Sequence, residues 1–384
     1  MDRVARQSVH PLIKPASTAD YARESFWDDL TMYLEAEVRP GLRDIYERDV
    51  HPQLVAALGR EPGRAEIAAA MRKQEDNRWW YLLRTQSQRQ GIEVSREVVE
   101  KQLPDLMAQA KARGNGPGSL ALDPDLAIPD YIRGDIHLQR DGYFAASDIA
   151  DDITAGAVYD RGITLGRMGT QGWLNDDVGL SLAAWMKERF PDFRPKRILE
   201  LGCTVGHTVV GFKQTYPEAE VHAIDLSAGL LRYAFARSAA LGVEIHYHQQ
   251  NAERTRFDDG SFDLVFSRIL MHETSADATP RIFAECHRLL GKGGVMFHSD
   301  APQYDMLDPY SQSLRDWDAT ANKEPYMNGY YSMNLEDAFE KAGFDRATMF
   351  RAQPPSLRLR GAGDEHRRSR VRGGLYFLAG AVRT

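Results

Sequence analysis

Cysteine is almost missing from this chain: its 384 residues include two, Cys203 and Cys286. Two thiols are too few for a disulfide framework and show no zinc-type spacing, so no metal is expected and the reducing cytoplasm is the natural compartment. Long apolar runs are missing as well. No window approaches the roughly 18 consecutive apolar residues of a membrane span, and the first thirty residues lack the apolar core of an export signal. An excess of positive charge is the third absence. Lys and Arg total 48 against 55 Asp and Glu, a net charge of −7, which gives no general attraction to nucleic-acid phosphates or to an anionic bilayer. Neither is expected as a partner.

What remains is ordinary globular composition, 43% hydrophobic and 27% charged, in a chain long enough for two or three domains of about 100–200 residues each. From Tyr21 to about Gln90, apolar residues recur three and four apart among charges, as in ESFWDDLTMYLEAEV, which predicts amphipathic helices. Pro40 and Pro52 start or kink helices there, and Glu93 to Ala112 supplies one more. GNGPGSLALDPDLAIPDY, Gly114 to Tyr131, concentrates Gly, Pro and Asp and reads as a linker or surface loop, so a domain boundary is placed there. Residues 1–118 become a helical cap or oligomerisation region, the surface through which a homo-oligomer would form. Residues 119–190 are a linker and covering segment, and 191–384 the main domain.

The second half alternates β-rich and helical runs, the pattern of a parallel sheet with crossover helices. RILELG, VHAIDLS, EIHYHQQ, FDLVFSRIL, VMFHSD, ATMFRA and LYFLAGAV are the strands, and HTVVGFKQTYP, LLRYAFARSAALG, ATPRIFAECHRLLGKGG and MNLEDAFEKAGF the helices. The third of these helices is expected to end at Gly293 and Gly294. A seven-stranded α/β sheet is the economical solution.

Chemistry begins at RILELGCTVGHT, where a strand enters a Gly-bearing turn and then a helix. Such a turn admits a ligand close to the backbone and aims helix N-terminal amides at it, although an ordinary strand-to-helix connection has the same pattern. Asp225 ends the next strand, where a carboxylate can accept both hydrogen bonds of a ribose diol or simply cap the following helix.

From about Arg197 to Ser299 the chain resembles, motif by motif, the class I S-adenosylmethionine-dependent methyltransferases, which implies a Rossmann-like fold and S-adenosyl-L-methionine as cofactor. ELGCTVG looks like the family's first motif, implying that Glu200, Gly202, Cys203, Thr204 and Gly206 meet the methionine end. AIDLS looks like the second, implying that Asp225, with Leu226 beside it, holds the ribose. QNAERTRFDDGSFDLV resembles the third, implying Asn251, Ala252 and Glu253 at the adenine. FDLVFSRILMHE matches the fourth, with Ser267 near its strand end, and LLGKGGVMFH the Gly-Gly turn before strand five. Thr204 departs from the family's usual Gly, and its Cβ is expected to keep ordinary φ values and to crowd the cofactor side. Cys203 and Cys286 read as packing residues and not as nucleophiles.

The stretch before the first motif commonly folds over the cofactor in such enzymes, which puts Tyr159 and Arg167 to Gly169 near its methionine end, against the alternative of plain packing. Proton removal from an acceptor is assigned to His272, with an unperturbed pKa of about 6.5, and Glu273, the alternative being helix capping. The aromatic insertion from Ala301 to Asn334 nominates Trp317, Tyr326 and Tyr330 for a planar or amphipathic small molecule, though a local cluster or a subunit contact would explain them too. NRWWYLL, with Trp79, Trp80 and Tyr81, reads as an anchor for the cap. Arg358 to Gly374 is the strongly basic run and reads as a solvated loop. The resulting expectation is methyl transfer to a small molecule in specialised metabolism. A cofactor-binding scaffold without methyl transfer is the rival, and a nicotinamide-dependent dehydrogenase the remoter one, because GCTVGHT lacks the G-x-G-x-x-G spacing.

Overall fold

Helical periodicity in the first hundred residues yields one bent rod followed by a second, very long helix. The computed structural model describes residues 10–134, 136–137, 149–166, 171–172, 174–359 and 374–384. Helix α1 (Thr18–Tyr33) starts at Ser17, whose side chain accepts from the Asp20 N–H. The rod continues through α2 (Arg39–Ile45) and α3 (His51–Leu58), joined by wide π turns at Leu34–Val38 and Tyr46–Val50. Each π turn lies just upstream of a proline, Pro40 or Pro52, in the first turn of the next helix. A proline lacks the N–H and would strike the carbonyl four residues back, and the widened turn makes room for it. The prolines therefore bend a rod without ending it. After α4 (Arg64–Met71) comes α5 (Glu75–Lys111), 37 residues long with Pro104 inside, so the helix expected from Glu93 is the second half of α5. Charges run along α5, and among the described residues no helix is long and apolar enough to cross a membrane.

The sheet holds eight strands, one more than the pattern predicts. They are β1 (Gly118–Ala121), β2 (Arg197–Leu201), β3 (Glu220–Asp225), β4 (Ile245–Gln249), β5 (Phe262–Arg268), β6 (Leu290–Ser299), β7 (Phe350–Ala352) and β8 (Leu378–Val382). Their order is β1-β4-β3-β2-β5-β6-β8-β7, and β8 alone runs antiparallel to its neighbours. Without β1 this is the expected Rossmann-like sheet. β1 comes from the segment read as a linker, where glycines serve close packing: a Cβ on Gly118, at φ +92°, would lie 2.1 Å from the Ile245 carbonyl oxygen. The helices over the sheet are α6 (Thr154–Gly166), α7 (Asp177–Arg189), α8 (His207–Thr215), α9 (Ala228–Ala240), α10 (Ala278–Leu289), α11 (Pro309–Ala321), α12 (Met327–Tyr331) and α13 (Leu335–Lys341). Helix α10 ends at Leu289, and Gly293 and Gly294 belong to β6, whose pairing with β5 is irregular there.

Both cysteines are buried and free, as packing residues should be. Leu199, Leu201, Ile224, Val265 and Met296 pack one face of the sheet, while Ile198, Val221, Leu264 and Phe266 pack the other. The cap joins this body through α6. Tyr233 and Leu230 of α9 share a cluster with Val99 and Leu106 of α5 and Ala157 and Val158 of α6. Two adjacent charges on α6 face opposite ways. Asp160 meets His10, His207 and Tyr233, whereas Arg161 makes a bidentate pair with Glu24 of α1 at 2.7 and 2.8 Å, both side chains 3% exposed.

Removing one member of a buried pair strands the other, at a cost of about 3–5 kcal/mol. Arg161→Met should therefore lower stability by about that amount in chemical denaturation, and Arg161→Met with Glu24→Leu should recover most of it. Equal stability of the wild type and the single variant would show that the pair does not tie the cap to the sheet.

Candidate active site

The carboxyl ends of β2, β3, β4 and β5 open into a cleft of about 420 Å³. This is the edge where open α/β sheets bind ligands, next to β2, where strand order reverses. Glu200, Gly202, Cys203, Thr204, Asp225, Leu226, Asn251 and Ala252 line it from β2, β3 and β4 and the turns after them, and Arg268, His272 and Glu273 from the end of β5 and the turn after it. Tyr159 and Ile163 of α6, Arg84 and Gln88 of α5, Tyr131 and His137 after β1, and Asn322 and Glu324 after α11 enclose the rest.

The turn after β2 is shaped by conformation as much as by side chains. Gly202 has φ +65°, and a Cβ there would fall 2.8 Å from Leu270 Cδ1 on the cleft wall. Thr204 has φ +48°, which corrects the expectation of an ordinary φ. A β-branched residue in this region costs of order 1–3 kcal/mol and must be held. The hold is visible: its N–H donates to Asp225 Oδ2 at 3.0 Å and its hydroxyl to the Cys203 carbonyl at 2.8 Å. Ile269 at φ +55° and His137 at φ +52° also line the cleft, so three of the six non-glycine residues with positive φ among those described gather here.

Asp225 Oδ1 accepts from the Ser227 N–H at 2.9 Å. Burial pushes its carboxyl above the usual range, and backbone N–H groups of Ser227, Thr204 and Leu226 oppose that. Burial pushes Glu200 up far more, with Arg268 opposing, and its Oε2 has no hydrogen-bond partner. An unpartnered carboxylate oxygen at the β2 turn, a second carboxylate with room beside it, and a glycine whose missing Cβ keeps the floor open fit an ammonium, a diol and a close-lying chain. The residues present thus suit S-adenosylmethionine. Asn251 Oδ1 already accepts from the Glu253 N–H at 2.9 Å, and the Asn251 side chain still lines the cleft.

Other expected contacts lie elsewhere. Gly206 packs behind the turn, where a Cβ would sit 2.4 Å from the Tyr247 hydroxyl. Ser267 is buried under the sheet edge and bonds His298 Nδ1 at 2.8 Å. Glu253 accepts from Tyr131 and pairs with Arg281. None of the three lines the cleft. The aromatic nominees are also outside it. Trp317 stacks on Tyr81 at 4.7 Å and packs against Trp80, because α11 docks on the cap. The hydroxyls of Tyr326 and Tyr330 donate to the carbonyls of Tyr131 and Ala301. These rings are spent on holding the insertion in place. Arg167 to Gly169 lie outside the described residues, as does most of the basic run after Arg358.

His272 stands in a single turn after β5, its Nδ1 2.5 Å from Asp300 Oδ1 and its Nε2 3.3 Å from Glu273 Oε1. Burial works against charge on its ring, and Asp300 and Glu273 outweigh burial, holding the imidazole well above its ordinary pKa. Both ring nitrogens thus face carboxylates, an arrangement that holds the imidazole in place. The same Glu273 oxygen, Oε1, also meets His137 Nε2 at 2.7 Å. Burial would raise this carboxyl, and the two imidazoles together hold it far below the carboxylate range. Sequence reasoning missed His137, Arg268, Arg84, Gln88 and Glu324. Arg268 stood inside the quoted SRILMHE run at a strand's carboxyl end and His137 inside the stretch read as a cover, both usable signals; the others reach the cleft from remote segments and gave none.

Residues 198–294 match the family model described as a methyltransferase domain. Within those residues the chain carries a methyltransferase domain. Similar proteins include the malonyl-[acyl-carrier protein] O-methyltransferase of Methylococcus capsulatus, 34% identical over 127 residues, which are 33% of this chain and 44% of that protein. An uncharacterized protein of Haemophilus influenzae is 29% identical over 107 residues, 27% of this chain and 42% of that one. The match thus spans under half the length of these curated relatives. Among solved structures, a putative O-methyltransferase of Nostoc punctiforme aligns with 16% identity and a TM-score of 0.42, covering 59% of this chain and 60% of that one. Phosphoethanolamine N-methyltransferase 2 of Haemonchus contortus, bound to S-adenosylhomocysteine, aligns with 17% identity, a TM-score of 0.41 and coverage of 61% and 60%.

Asp225→Asn keeps the volume of the methyltransferase domain's carboxylate and removes its charge. Two charge-assisted hydrogen bonds weaken, so calorimetry should show S-adenosylhomocysteine affinity falling by roughly 30- to 300-fold, about 2–3 kcal/mol. An unchanged affinity in a folded variant would remove Asp225 from the cofactor site.

Proposed function

We propose that the chain transfers a methyl group from S-adenosylmethionine to a small-molecule acceptor held between the methyltransferase domain and the helical cap. The observation that carries this reading is the make-up of the cleft lining. Glu200, Asp225 and Asn251 come from the matched segment, and Arg84, Gln88, His137 and Glu324 come from outside it. On this reading residues 1–118 form the cap, 119–190 supply the cover, and 191–384 are the transferring domain. Glu200 would hold the ammonium of the cofactor, Asp225 its ribose diol and Asn251 its adenine. The bound cofactor supplies an electrophilic methyl group on a sulfonium. The protein's task is then alignment, exclusion of water and disposal of charge. The cap residues exclude water by covering the cleft, and the strained turns at Thr204 and Ile269 fix its walls. Relatives whose names specify O-methylation support oxygen as the accepting atom.

Incubation of the whole protein with methyl-labelled S-adenosylmethionine and a cell metabolite extract should place label in small molecules. Asp225→Asn should reduce the transfer at limiting cofactor by about the loss in affinity. Cofactor binding without label transfer would favour the scaffold reading, and tight NADH binding the dehydrogenase.

A further inference from the structure

Resting on the proposed methyl transfer, one side chain of the cleft lining is set apart by what it lacks. Two buried carboxylate oxygens on residues that line the cleft have no hydrogen-bond partner among the described residues, Glu200 Oε2 and Glu324 Oε2. Glu200 belongs to the matched segment and, on the proposed reading, takes the ammonium of the cofactor. Glu324 lies outside that segment, between α11 and α12, with its side chain 9% exposed. Its place is fixed by the end of α11. Lys323 takes φ +55°, its N–H donates to the Thr320 carbonyl at 3.3 Å, and the Glu324 N–H donates to the Ala319 carbonyl at 2.9 Å. This is a Schellman ending with a lysine where glycine is usual, so backbone strain is held at the step that brings Glu324 to the cleft. Trp317, stacked on Tyr81, fixes the helix itself, and the Tyr326 hydroxyl, donating to the Tyr131 carbonyl at 2.6 Å, holds the chain two residues on.

The other oxygen of the carboxyl is already placed. Glu324 Oε1 lies 3.5 Å from His137 Nδ1, and His137 Nε2 meets Glu273 at 2.7 Å in the turn after β5. Burial works against charge on the His137 ring, and Glu273 and Glu324 outweigh it, raising its pKa to about 10. The imidazole therefore presents hydrogen to Oε1 and leaves Oε2 unpaired. A buried carboxylate oxygen without a hydrogen-bond donor has lost its hydration for nothing, and a bound molecule that brings an O–H or N–H removes that cost. We infer that Glu324 Oε2 receives a hydrogen bond from an O–H or N–H group of the methyl acceptor, which makes Glu324 a residue that selects the acceptor. A molecule of the same shape without that group leaves the oxygen buried and unpaired, and a site built around such a bond rejects it far more strongly than an apolar pocket would. The acceptor is accordingly a hydroxyl- or amine-bearing compound, oriented by a carboxylate that comes from the aromatic insertion and not from the strands that hold the cofactor.

The test uses the whole protein, methyl-labelled S-adenosylmethionine and, as acceptor, the compound isolated from a metabolite extract that takes most label. Glu324→Gln keeps the shape of the side chain and weakens its bond to the acceptor, so the acceptor KM should rise by about tenfold or more, with S-adenosylhomocysteine affinity within about twofold of wild type by calorimetry. That retained affinity also shows the variant to be folded. A KM and kcat within about twofold of wild type in the folded variant would overturn the inference. A fall in S-adenosylhomocysteine affinity with wild-type circular dichroism would place Glu324 on the methyl donor and overturn it equally. His137→Gln separates contact from support: if Glu324 serves only to hold His137, that variant reproduces the whole rise in KM and the inference fails. Acetylating the acceptor with an amine-selective reagent tells the two groups apart, since an N–H acceptor then loses its labelling and an O–H acceptor keeps it. No label in any compound would remove the proposed methyl transfer itself, and this assignment with it.

Discussion

The Asp160 carboxylate, fully enclosed, is the constraint around which the molecule is arranged. A buried carboxylate loses several kcal/mol of hydration and stays charged only if donors converge on it. Here they come from three separate stretches of the chain: His10 at 2.9 Å, His207 at 2.7 Å, and Tyr233 at 2.8 Å with Arg237 at 3.3 Å on α9. Burial would raise its pKa, and His207 with Arg237 hold it well below the ordinary value. His207 opens the helix after the Gly-rich turn, so the same bond that satisfies Asp160 fixes α6 over that turn. Arg161, the next residue, grips Glu24 and brings the cap along. The cleft exists because α6 is fastened on both sides.

Within the cleft the same rule operates on a smaller scale. From Asp300 through His272, Glu273 and His137 to Glu324, carboxylates and imidazoles alternate within 2.5 to 3.5 Å of one another. Such a chain of contacts fixes the wall of the cleft. Backbone strain is concentrated beside it, at Thr204, Ile269 and His137, where surrounding bonds hold residues in the left-handed region. The site is preorganised by fixed charges and fixed turns, which suits a reaction whose main demand is alignment.

The strands that carry the site were legible because they are largely buried and read as short, mostly apolar runs such as RILEL and FDLVF. The cofactor side was legible for a related reason: Glu200, Gly202 and Asp225 follow directly from strand ends, so their place in the sequence is their place in the cleft. The acceptor side was not. Arg84 and Gln88 are spaced four apart on α5, and nothing local says that this stripe, and not the neighbouring Trp79 at 55% exposure, faces the cleft. Trp317 and Tyr330 read as ligand aromatics because composition does not distinguish a ring that stacks on a substrate from one that stacks on Tyr81 or sits under a carbonyl. The partner of His272 was hidden as well, since Asp300 lies 28 residues on and meets it only in the folded sheet. β1 was lost to its own glycines, which look like a linker and serve an edge pairing.

Hydrogen exchange measured by mass spectrometry, with and without saturating S-adenosylhomocysteine, tests most directly whether a cofactor lies under α6 in this cleft. The account predicts slower exchange in peptides covering residues 200–208, 224–230 and 250–253, together with 154–163 of α6, because ligand contacts on the floor tighten the helix that Asp160 fastens above it. Unchanged exchange in all four segments at a ligand concentration that binds the protein would contradict it.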